Sequence, residues 1–250
     1  MVTGIDRFRE WFRGYEEQYA IIGGTACDLL MGEDGMDFRA TKDIDLVLIV
    51  EAITPAFGRQ FWQFIRDAGY EHRNKSTGLP QFYRFSHPSV GGYPFMIELF
   101  SRRAEAINLP DDAVLTPLPL DEDISSLSAI LLDDDYYQLV RRGTVVVDGI
   151  NVLDAAYLIL FKAKAWLDLT QKKAAGHAVD SKNIRKHKND VLRLSALLTQ
   201  QSHVVVTDNV LADFHTFLSA MQEEQIDLKQ LGIIRDKATV IADLKRIFSC

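Results

Sequence analysis

The chain has 250 residues, of which 47% are apolar and 25% charged, a composition that excludes an intrinsically disordered chain. Two cysteines exclude a disulfide framework and a cysteine-based metal site. The longest apolar runs, 46–50 and 155–161, are too short to span a bilayer, and the charged residues 1–18 lack the apolar core of a signal peptide. We therefore expect a cytoplasmic protein with no membrane partner.

The formal net charge of −7 is divided unevenly along the chain. Residues 1–149 carry 14 basic and 24 acidic side chains, whereas residues 150–250 carry 14 basic and 11 acidic ones. Within 162–193 the count is 9 basic to 3 acidic. This asymmetry indicates two functional regions, the second of which suits an anionic ligand. A solvated helix face beside an acidic region explains the same counts without a ligand.

Hydrophobic periodicity predicts a mixture of helices and strands in the first half of the chain. The stretch 44–50 is almost continuously apolar and β-branched, which is typical of a strand buried on both faces. The predicted elements are helix 5–18, strand 19–22, helix 25–31, loop 32–41, strand 44–50, a helix from Pro55, strands 81–85 and 95–100, and an irregular stretch over 104–123.

The second half is predicted to be mainly helical. Short strands or turns are expected at 126–132, 136–141, 144–147 and 150–153, and helices at 155–169, 180–200, 207–222 and 235–248. The fold class is therefore predicted as α+β, with an N-terminal mixed β-sheet flanked by helices and a C-terminal helical domain. We place the two domains at 1–150 and 151–250.

A glycine pair separates the first predicted strand from the next helix. Gly23 and Gly24 allow a sharp turn and a close approach of the backbone to a ligand. The free N–H groups at the start of the following helix suit a phosphate, and Thr25 adds a hydroxyl. A simple turn with a helix cap explains the same three residues.

Two aspartates lie at the start of the strand 44–50. Side chains alternate along a strand, so Asp43 and Asp45 project from the same face while Ile44 points away. Two neighbouring carboxylates repel each other unless a cation neutralises them, and Mg²⁺ is a cation that carboxylates and substrate phosphates bind together. Two solvated aspartates at the start of a polar strand are the alternative.

A third acidic residue, Glu98, lies between apolar neighbours in the strand 95–100. A carboxylate in such a position is rarely left unpaired. If this strand lies beside 44–50, Glu98 completes a cluster of three carboxylates that could hold two metal ions for phosphoryl transfer. The alternative is an ion pair between Glu98 and an arginine such as Arg84 or Arg102.

Taken together, the Gly-Gly-Thr helix start, the pattern Arg39-x-Thr41-x-Asp43-x-Asp45 and the later acidic strand residue resemble the nucleotidyltransferase superfamily. Within it, the chain is similar to the AbiEii-type group, which includes toxins of type IV toxin–antitoxin systems. The resemblance implies an enzyme that transfers a nucleoside monophosphate from an NTP to an acceptor hydroxyl. It implies Mg²⁺ ligands at Asp43, Asp45 and Glu98, and contacts to the NTP from Gly23, Gly24, Thr25, Arg39, Thr41 and Lys162.

The helical half extends the resemblance through a lysine on a long helix and an aspartate in a later basic segment. At 100° per residue, Lys162 falls in the apolar stripe of its helix and Lys164 lies opposite, so Lys162 must find an acceptor or extend to solvent. We therefore assign Lys162 to a contact with the phosphates. The resemblance implies that Asp190 is its partner, which orients Lys162 or the acceptor or acts as a base for the acceptor hydroxyl. A lysine that simply extends to solvent is the alternative for Lys162.

Three hypotheses for the function follow. The first is an RNA-modifying nucleotidyltransferase, with a tRNA 3′ end as acceptor and a cognate antitoxin as partner, because the basic segment 162–193 could contact an RNA backbone. The second is a small-molecule enzyme of the aminoglycoside-modifying type, because the acidic first half could attract a polycation. The third is an inactive module that binds a nucleotide or a partner.

Overall fold

The computed structural model describes residues 2–70, 82–102 and 130–249. The chain divides into two compact units. The first takes its described residues from 1–120 and 144–154, and the second takes them from 121–143 and 155–250. The predicted division into domains 1–150 and 151–250 stays a prediction.

In its described residues, the first unit contains a six-stranded mixed sheet together with helices. Its elements are α1 (Ile5–Trp11), a 3₁₀ turn (Glu16–Gln18), β1 (Tyr19–Ile22), α2 (Gly23–Glu33), β2 (Asp43–Leu48), α3 (Pro55–Ala68), β3 (Phe82–Ser86), β4 (Met96–Phe100), β5 (Thr144–Val147) and β6 (Ile150–Leu153).

The strand order of the sheet is β3-β4-β2-β1-β6-β5. Strand β2 runs parallel to β4 and antiparallel to β1, and β1 runs parallel to β6. The two outer pairs, β3–β4 and β5–β6, are antiparallel. The central position of β2 explains its apolar sequence, because a strand with neighbours on both sides is buried over most of its length.

The core of the first unit is built from aromatic side chains. The ring of Phe12 is fully buried and lies 4.4 Å from the ring of Phe8 and 5.3 Å from that of Phe64 on α3. Thr54 caps α3 by accepting a hydrogen bond from the backbone N–H of Phe57, and Pro55 occupies the first helical turn, where its missing N–H is tolerated. Aromatic packing and a capped helix thus hold one side of the sheet in place.

The second unit is helical. Its elements are α4 (Asp134–Arg142), α5 (Ala155–Ala174), α6 (Ser181–Leu194) with a 3₁₀ turn (Ser195–Leu197), α7 (Asp208–Glu223), a 3₁₀ turn (Lys229–Leu231) and α8 (Lys237–Phe248). Trp166 of α5 packs on Phe217 of α7, with ring centroids 5.4 Å apart. Phe248 of α8 packs on Phe214 of α7, with ring centroids 4.6 Å apart. The α+β fold class, with a mixed sheet followed by a helical region, is confirmed.

The structure corrects two of the predicted elements. Residues 136–141 are not a short strand or turn but belong to α4, and residues 130–132 at the end of the predicted segment 126–132 are helical as well. The Asp133 side chain accepts hydrogen bonds from the backbone N–H groups of Asp135 and Tyr136, and the last turn is basic, so capping and the helix dipole stabilise α4. The paired tyrosines and the valine of this segment favour a strand locally, but the cap decides for a helix.

The first predicted helix is shorter than expected, and the second is longer. Helix α1 ends at Trp11, since Gly14 lies in the left-handed region at φ +84° and interrupts the helical path. Helix α2 includes both glycines and runs to Glu33. The predicted irregular stretch 104–123 lies outside the described residues. None of the helices in the described ranges is both long enough and apolar enough to cross a bilayer.

Candidate active site

The central strands bring two of the three predicted acidic residues, Asp45 and Glu98, into one row across the sheet. The β1–β2 register pairs Ile22 with Asp45, and the parallel β2–β4 register pairs Asp45 with Glu98. The β3–β4 register continues the row by pairing Glu98 with Arg84. Side chains of paired residues share a face of the sheet, so Asp45, Glu98 and Arg84 are neighbours on one face.

The glycine turn lies directly against this row. Gly23 has φ +70°, and a Cβ atom added to it would lie 1.8 Å from Oδ2 of Asp45. A Cβ atom on Gly24 would lie 2.8 Å from Oγ1 of Thr41 and 3.4 Å from Nη2 of Arg39. The missing side chain of Gly23 therefore leaves room for Asp45, and that of Gly24 leaves room for Thr41 and Arg39. All three neighbours belong to the pattern Arg39-x-Thr41-x-Asp43-x-Asp45. Helix α2 begins at this turn, with its first N–H groups at the same place.

Thr25 has a structural contact in the described chain. Its side chain is fully buried, and its hydroxyl donates a 2.5 Å hydrogen bond to the backbone carbonyl of Asp43. This bond ties the first turn of α2 to the start of β2 and thereby fixes the spacing between the glycine turn and the aspartates. The predicted contact of Thr25 with an NTP stays a prediction.

Glu98 is buried between the carboxylate of Asp45 and the guanidinium of Arg84. Its side chain is 9% exposed, and Oε1 accepts hydrogen bonds from Nε and Nη2 of Arg84 at 2.9 and 2.6 Å. Burial raises the pKa of Glu98 to about 8, the charge of Asp45 adds to the rise, and Arg84 opposes it. Near neutral pH, this carboxyl group therefore keeps a proton until an additional positive charge displaces it.

The donor chemistry of the row fits a hard divalent cation. Asp45 and Glu98 offer carboxylate oxygens side by side, and Mg²⁺ is usually bound by one or two carboxylates together with substrate phosphates. Asp43 faces the same side of the sheet but lies opposite Met96, two residues before Asp45 on β2. The rise of a strand puts these two aspartates about 7 Å apart. Accordingly, no group of three or more His, Cys, Asp and Glu side chains in the described ranges is arranged to hold a metal ion.

The raised pKa of Glu98 predicts a pH-dependent stability in the absence of divalent cations. The folded chain holds the Glu98 proton up to about pH 8, whereas the unfolded chain releases it near 4.5. The contribution of Glu98 to the unfolding free energy is therefore fully present below pH 4.5. It is lost as the pH rises towards 8, which lowers the stability of the chain by on the order of a few kcal/mol.

The measurement is the unfolding free energy of the wild-type chain and of Glu98→Gln at pH 5, 6.5 and 8 in a chelating buffer. We expect the wild-type chain to lose stability relative to the variant as the pH rises, since glutamine does not titrate. Parallel pH profiles for the two proteins would contradict this assignment.

The two residues predicted in the helical half also meet. Nζ of Lys162 on α5 lies 3.3 Å from Oδ2 of Asp190 on α6, and the side chains are 7% and 0% exposed. Lys164 instead contacts Asp213 of α7 at 3.0 Å and Asp168 of its own helix at 3.7 Å. The structure thus distinguishes a buried lysine from a half-exposed one, as the helical rotation predicts. The roles assigned to Lys162 and Asp190 stay predictions.

The basic segment divides into engaged and exposed cations. Lys188 is ion-paired with Glu224. Lys173, Lys182 and Arg185, at the end of α5 and the start of α6, are exposed, and Lys173 contacts the hydroxyl of Ser181. Part of the positive charge counted in the sequence is therefore presented on the surface of the second unit.

Two contacts join residues that are far apart in the sequence: the ion pair of Arg84 with Glu98 and that of Lys164 with Asp213. Arg84, rather than Arg102, is the arginine seen on Glu98, because the β3–β4 register aligns these two residues. Asp213 is 49 residues from Lys164 and also accepts a hydrogen bond from the hydroxyl of Tyr136. Sequence analysis missed Asp213, and no local pattern could have found it.

No model of a known protein family matches the sequence, and no curated protein matches it in sequence. The fold is similar to that of an antigenic nucleotidyltransferase-like protein from Paracoccidioides brasiliensis, with 16% identity, coverage of 98% of this chain and 92% of that chain, and a TM-score of 0.47. It is also similar to the antibiotic-resistance factor ANT(2'')-Ia, with 12% identity, coverage of 88% and 94%, and a TM-score of 0.39. Both likenesses are distant, so the function proposed for the chain depends on the geometry of its site.

Proposed function

We propose that the chain is a Mg²⁺-dependent nucleotidyltransferase, which transfers a nucleoside monophosphate from an NTP to an acceptor hydroxyl and releases pyrophosphate. One observation carries the proposal. Asp45 lies against the glycine turn on one side and beside Glu98 on the other, so a carboxylate pair adjoins a backbone turn that opens a helix. A cation and a phosphate chain need these two environments next to each other.

The glycine turn supports the triphosphate. Gly23 and Gly24 present backbone without side chains, and the first N–H groups of α2 point out of the helix there, where they can donate to phosphate oxygens. Arg39 and Thr41 lie beside Gly24 and add a cation and a hydroxyl at the same place. These groups hold the transferred phosphate and favour the charge that develops on it.

The acidic row supports the cation. Asp45 and Glu98 are the proposed Mg²⁺ ligands, and Asp43, two residues away on the same face of β2, is the proposed ligand of a second ion together with phosphate oxygens. When bound, Mg²⁺ neutralises the triphosphate and activates the attacking oxygen. Arg84 balances part of the remaining negative charge at Glu98.

The buried pair of the helical half completes the proposal. Lys162 is the proposed phosphate contact, and Asp190 holds its ammonium group at 3.3 Å. The support is the burial of a lysine in an apolar stripe together with the resemblance of this segment to AbiEii-type proteins.

The proposed acceptor is RNA, with a tRNA 3′ end as the specific case, and the proposed biological role is that of a toxin controlled by an antitoxin. The exposed cations Lys173, Lys182 and Arg185 support an acceptor with a phosphate backbone. The acidic first half favours a second candidate, a polycationic small molecule such as an aminoglycoside, because its 24 acidic side chains outnumber 14 basic ones.

The test is a transfer screen. The full chain is incubated with Mg²⁺, each of four α-labelled NTPs, and either total RNA or a panel of aminoglycosides. We expect label on RNA with at least one NTP and growth arrest on expression in bacteria. Label on aminoglycosides alone supports the second candidate, and no label on any acceptor contradicts the proposed function.

Replacement of Gly23 by alanine is expected to lower the transfer rate by about a hundredfold, the typical cost of displacing a reacting group by roughly 1 Å. The new Cβ atom would lie 1.8 Å from Oδ2 of Asp45, so this carboxylate must move away from the turn. The end of a side chain moves easily, and the loss is therefore expected in turnover more than in stability.

Gly35→Ala is the matched control. Gly35 has the same φ of +70°, but nothing lies within 4 Å of an added Cβ atom. Both variants are expected to lose about 1–2 kcal/mol of stability through the left-handed backbone. Equal transfer rates for the two variants would show that contact between the turn and Asp45 is unimportant.

A further inference from the structure

Arg84 occupies a distinctive place at the end of the acidic row. It lies on β3, and the antiparallel β3–β4 register sets it directly opposite Glu98. Its side chain is 21% exposed, whereas that of Glu98 is 9% exposed, so the guanidinium approaches a carboxylate that is otherwise enclosed. The position of Arg84 is therefore fixed by the pairing of β3 with β4.

The hydrogen bonds of Arg84 converge on one oxygen. Nε and Nη2 both donate to Oε1 of Glu98, at 2.9 and 2.6 Å. A parallel fork, in which each nitrogen takes its own oxygen, is the frequent arrangement for an arginine that binds a carboxylate. Here the hydrogen bonds of Arg84 do not engage Oε2.

The other side of Glu98 faces Asp45. The two residues are paired in the parallel β2–β4 register, so Glu98 stands between the guanidinium on β3 and the carboxylate on β2. Because Arg84 holds Oε1 from the β3 side, rotation of the carboxyl group is restricted, and we expect the second oxygen, Oε2, to serve the side of Asp45. A cation shared by Asp45 and Glu98 would bind on that side.

We propose that Arg84 is a positioning residue of the cation site: it fixes Glu98 through Oε1 and so presents Oε2 beside Asp45. The inference rests on the proposed function, since it assumes that this carboxylate pair binds a divalent cation. Arg84 acts through Glu98 and does not touch the ion.

The inference predicts the sign of the effect on metal affinity. Partners that orient a metal ligand typically contribute 10–100-fold to affinity. We therefore expect Arg84→Gln to weaken binding about tenfold or more. Arg84→Lys keeps the charge but lacks the two-nitrogen fork, so its affinity should lie between those of the wild-type chain and Arg84→Gln. An arginine that merely competed with the cation for Glu98 would give tighter binding when removed.

The probe is Mn²⁺ alone, a cation that takes the same oxygen ligands as Mg²⁺, titrated into the full chain and followed by electron paramagnetic resonance. Arg59→Gln, at an exposed position on α3, is the matched control and should bind like the wild-type chain. Arg84→Gln in a Glu98→Gln background should have no further effect, because the two residues act as a unit.

Tighter or unchanged Mn²⁺ affinity in both Arg84 variants, or the absence of saturable binding by the wild-type chain, would overturn the inference. If Arg84→Gln fails to fold, Arg84→Lys decides the result. Failure of the proposed function is seen separately, as an absence of transferred label with a wild-type chain whose Mn²⁺ affinity does depend on Arg84.

Discussion

The Asp45→Asn variant is expected to lose nucleotide transfer by roughly a thousandfold or more, because a cation held by carboxylates contributes several kcal/mol of charge stabilisation in phosphoryl transfer. Asp45 lies between the glycine turn, where the phosphates are proposed to bind, and Glu98, the second proposed ligand of the cation. Its carboxylate lies where a Gly23 Cβ atom would be, and its backbone is paired with that of Glu98. An amide of the same shape keeps the packing but removes the negative charge.

Above about pH 8, the same variant should not be less stable than the wild-type chain. Glu98 is ionised there and is repelled by the charge of Asp45, so neutralising Asp45 relieves a repulsion in the cation-free protein. Mg²⁺ should raise the melting temperature of the wild-type chain and leave that of Asp45→Asn unchanged.

The matched control is Asp37→Asn, an exposed aspartate in the loop before β2, which should retain transfer. Transfer by Asp45→Asn at the wild-type rate would remove Asp45 from the mechanism.

The Asp190→Asn variant is expected to lose about 3–5 kcal/mol of unfolding free energy, the usual cost of removing one partner of a buried ion pair. Asp190 is fully buried, and the substitution deprives the ammonium group of Lys162, whose side chain is 7% exposed, of a carboxylate 3.3 Å away. Urea denaturation of the two proteins measures the difference.

Two further variants separate stability from function. Asp243→Asn removes a pair of similar length with Arg235, but both side chains are 36% exposed, and its cost should stay below about 1 kcal/mol. A double variant, Lys162→Met with Asp190→Leu, should regain stability, because apolar residues often replace a buried pair without loss.

If Lys162 contacts the phosphates, this stable double variant will still be inactive. Full transfer by the double variant would show that the pair is structural only, and a double variant as unstable as Asp190→Asn would contradict the energetic argument.

The sequence predicted the central strands of the site well because each residue there satisfies a local rule. The apolar run 44–50 predicted β2, and alternation along that strand put Asp43 and Asp45 on one face. The neighbourhood of Asp45 and Glu98 was conditional on strand order, which no local pattern determines. The parallel β2–β4 pairing in the structure supplies that missing step.

Other features depended on tertiary structure from the start. Helical rotation places Lys162 in an apolar stripe, and the lysine is indeed buried, but its distance from Asp190 follows from the packing of α5 on α6. The tyrosines and valine of α4 favour a strand locally, while the Asp133 cap decides for a helix. Local propensity is weak where capping and packing act together.

The most direct test of the central claim compares α-labelled and γ-labelled NTP in parallel reactions of the full chain with acceptor. The proposed reaction keeps the α-phosphate and releases the β- and γ-phosphates as pyrophosphate. We therefore predict that α-label is transferred with Mg²⁺, that γ-label is not, and that a chelator abolishes the transfer. Transfer of γ-label, or label that is independent of divalent cations, would contradict nucleotidyl transfer at the row formed by Asp45 and Glu98.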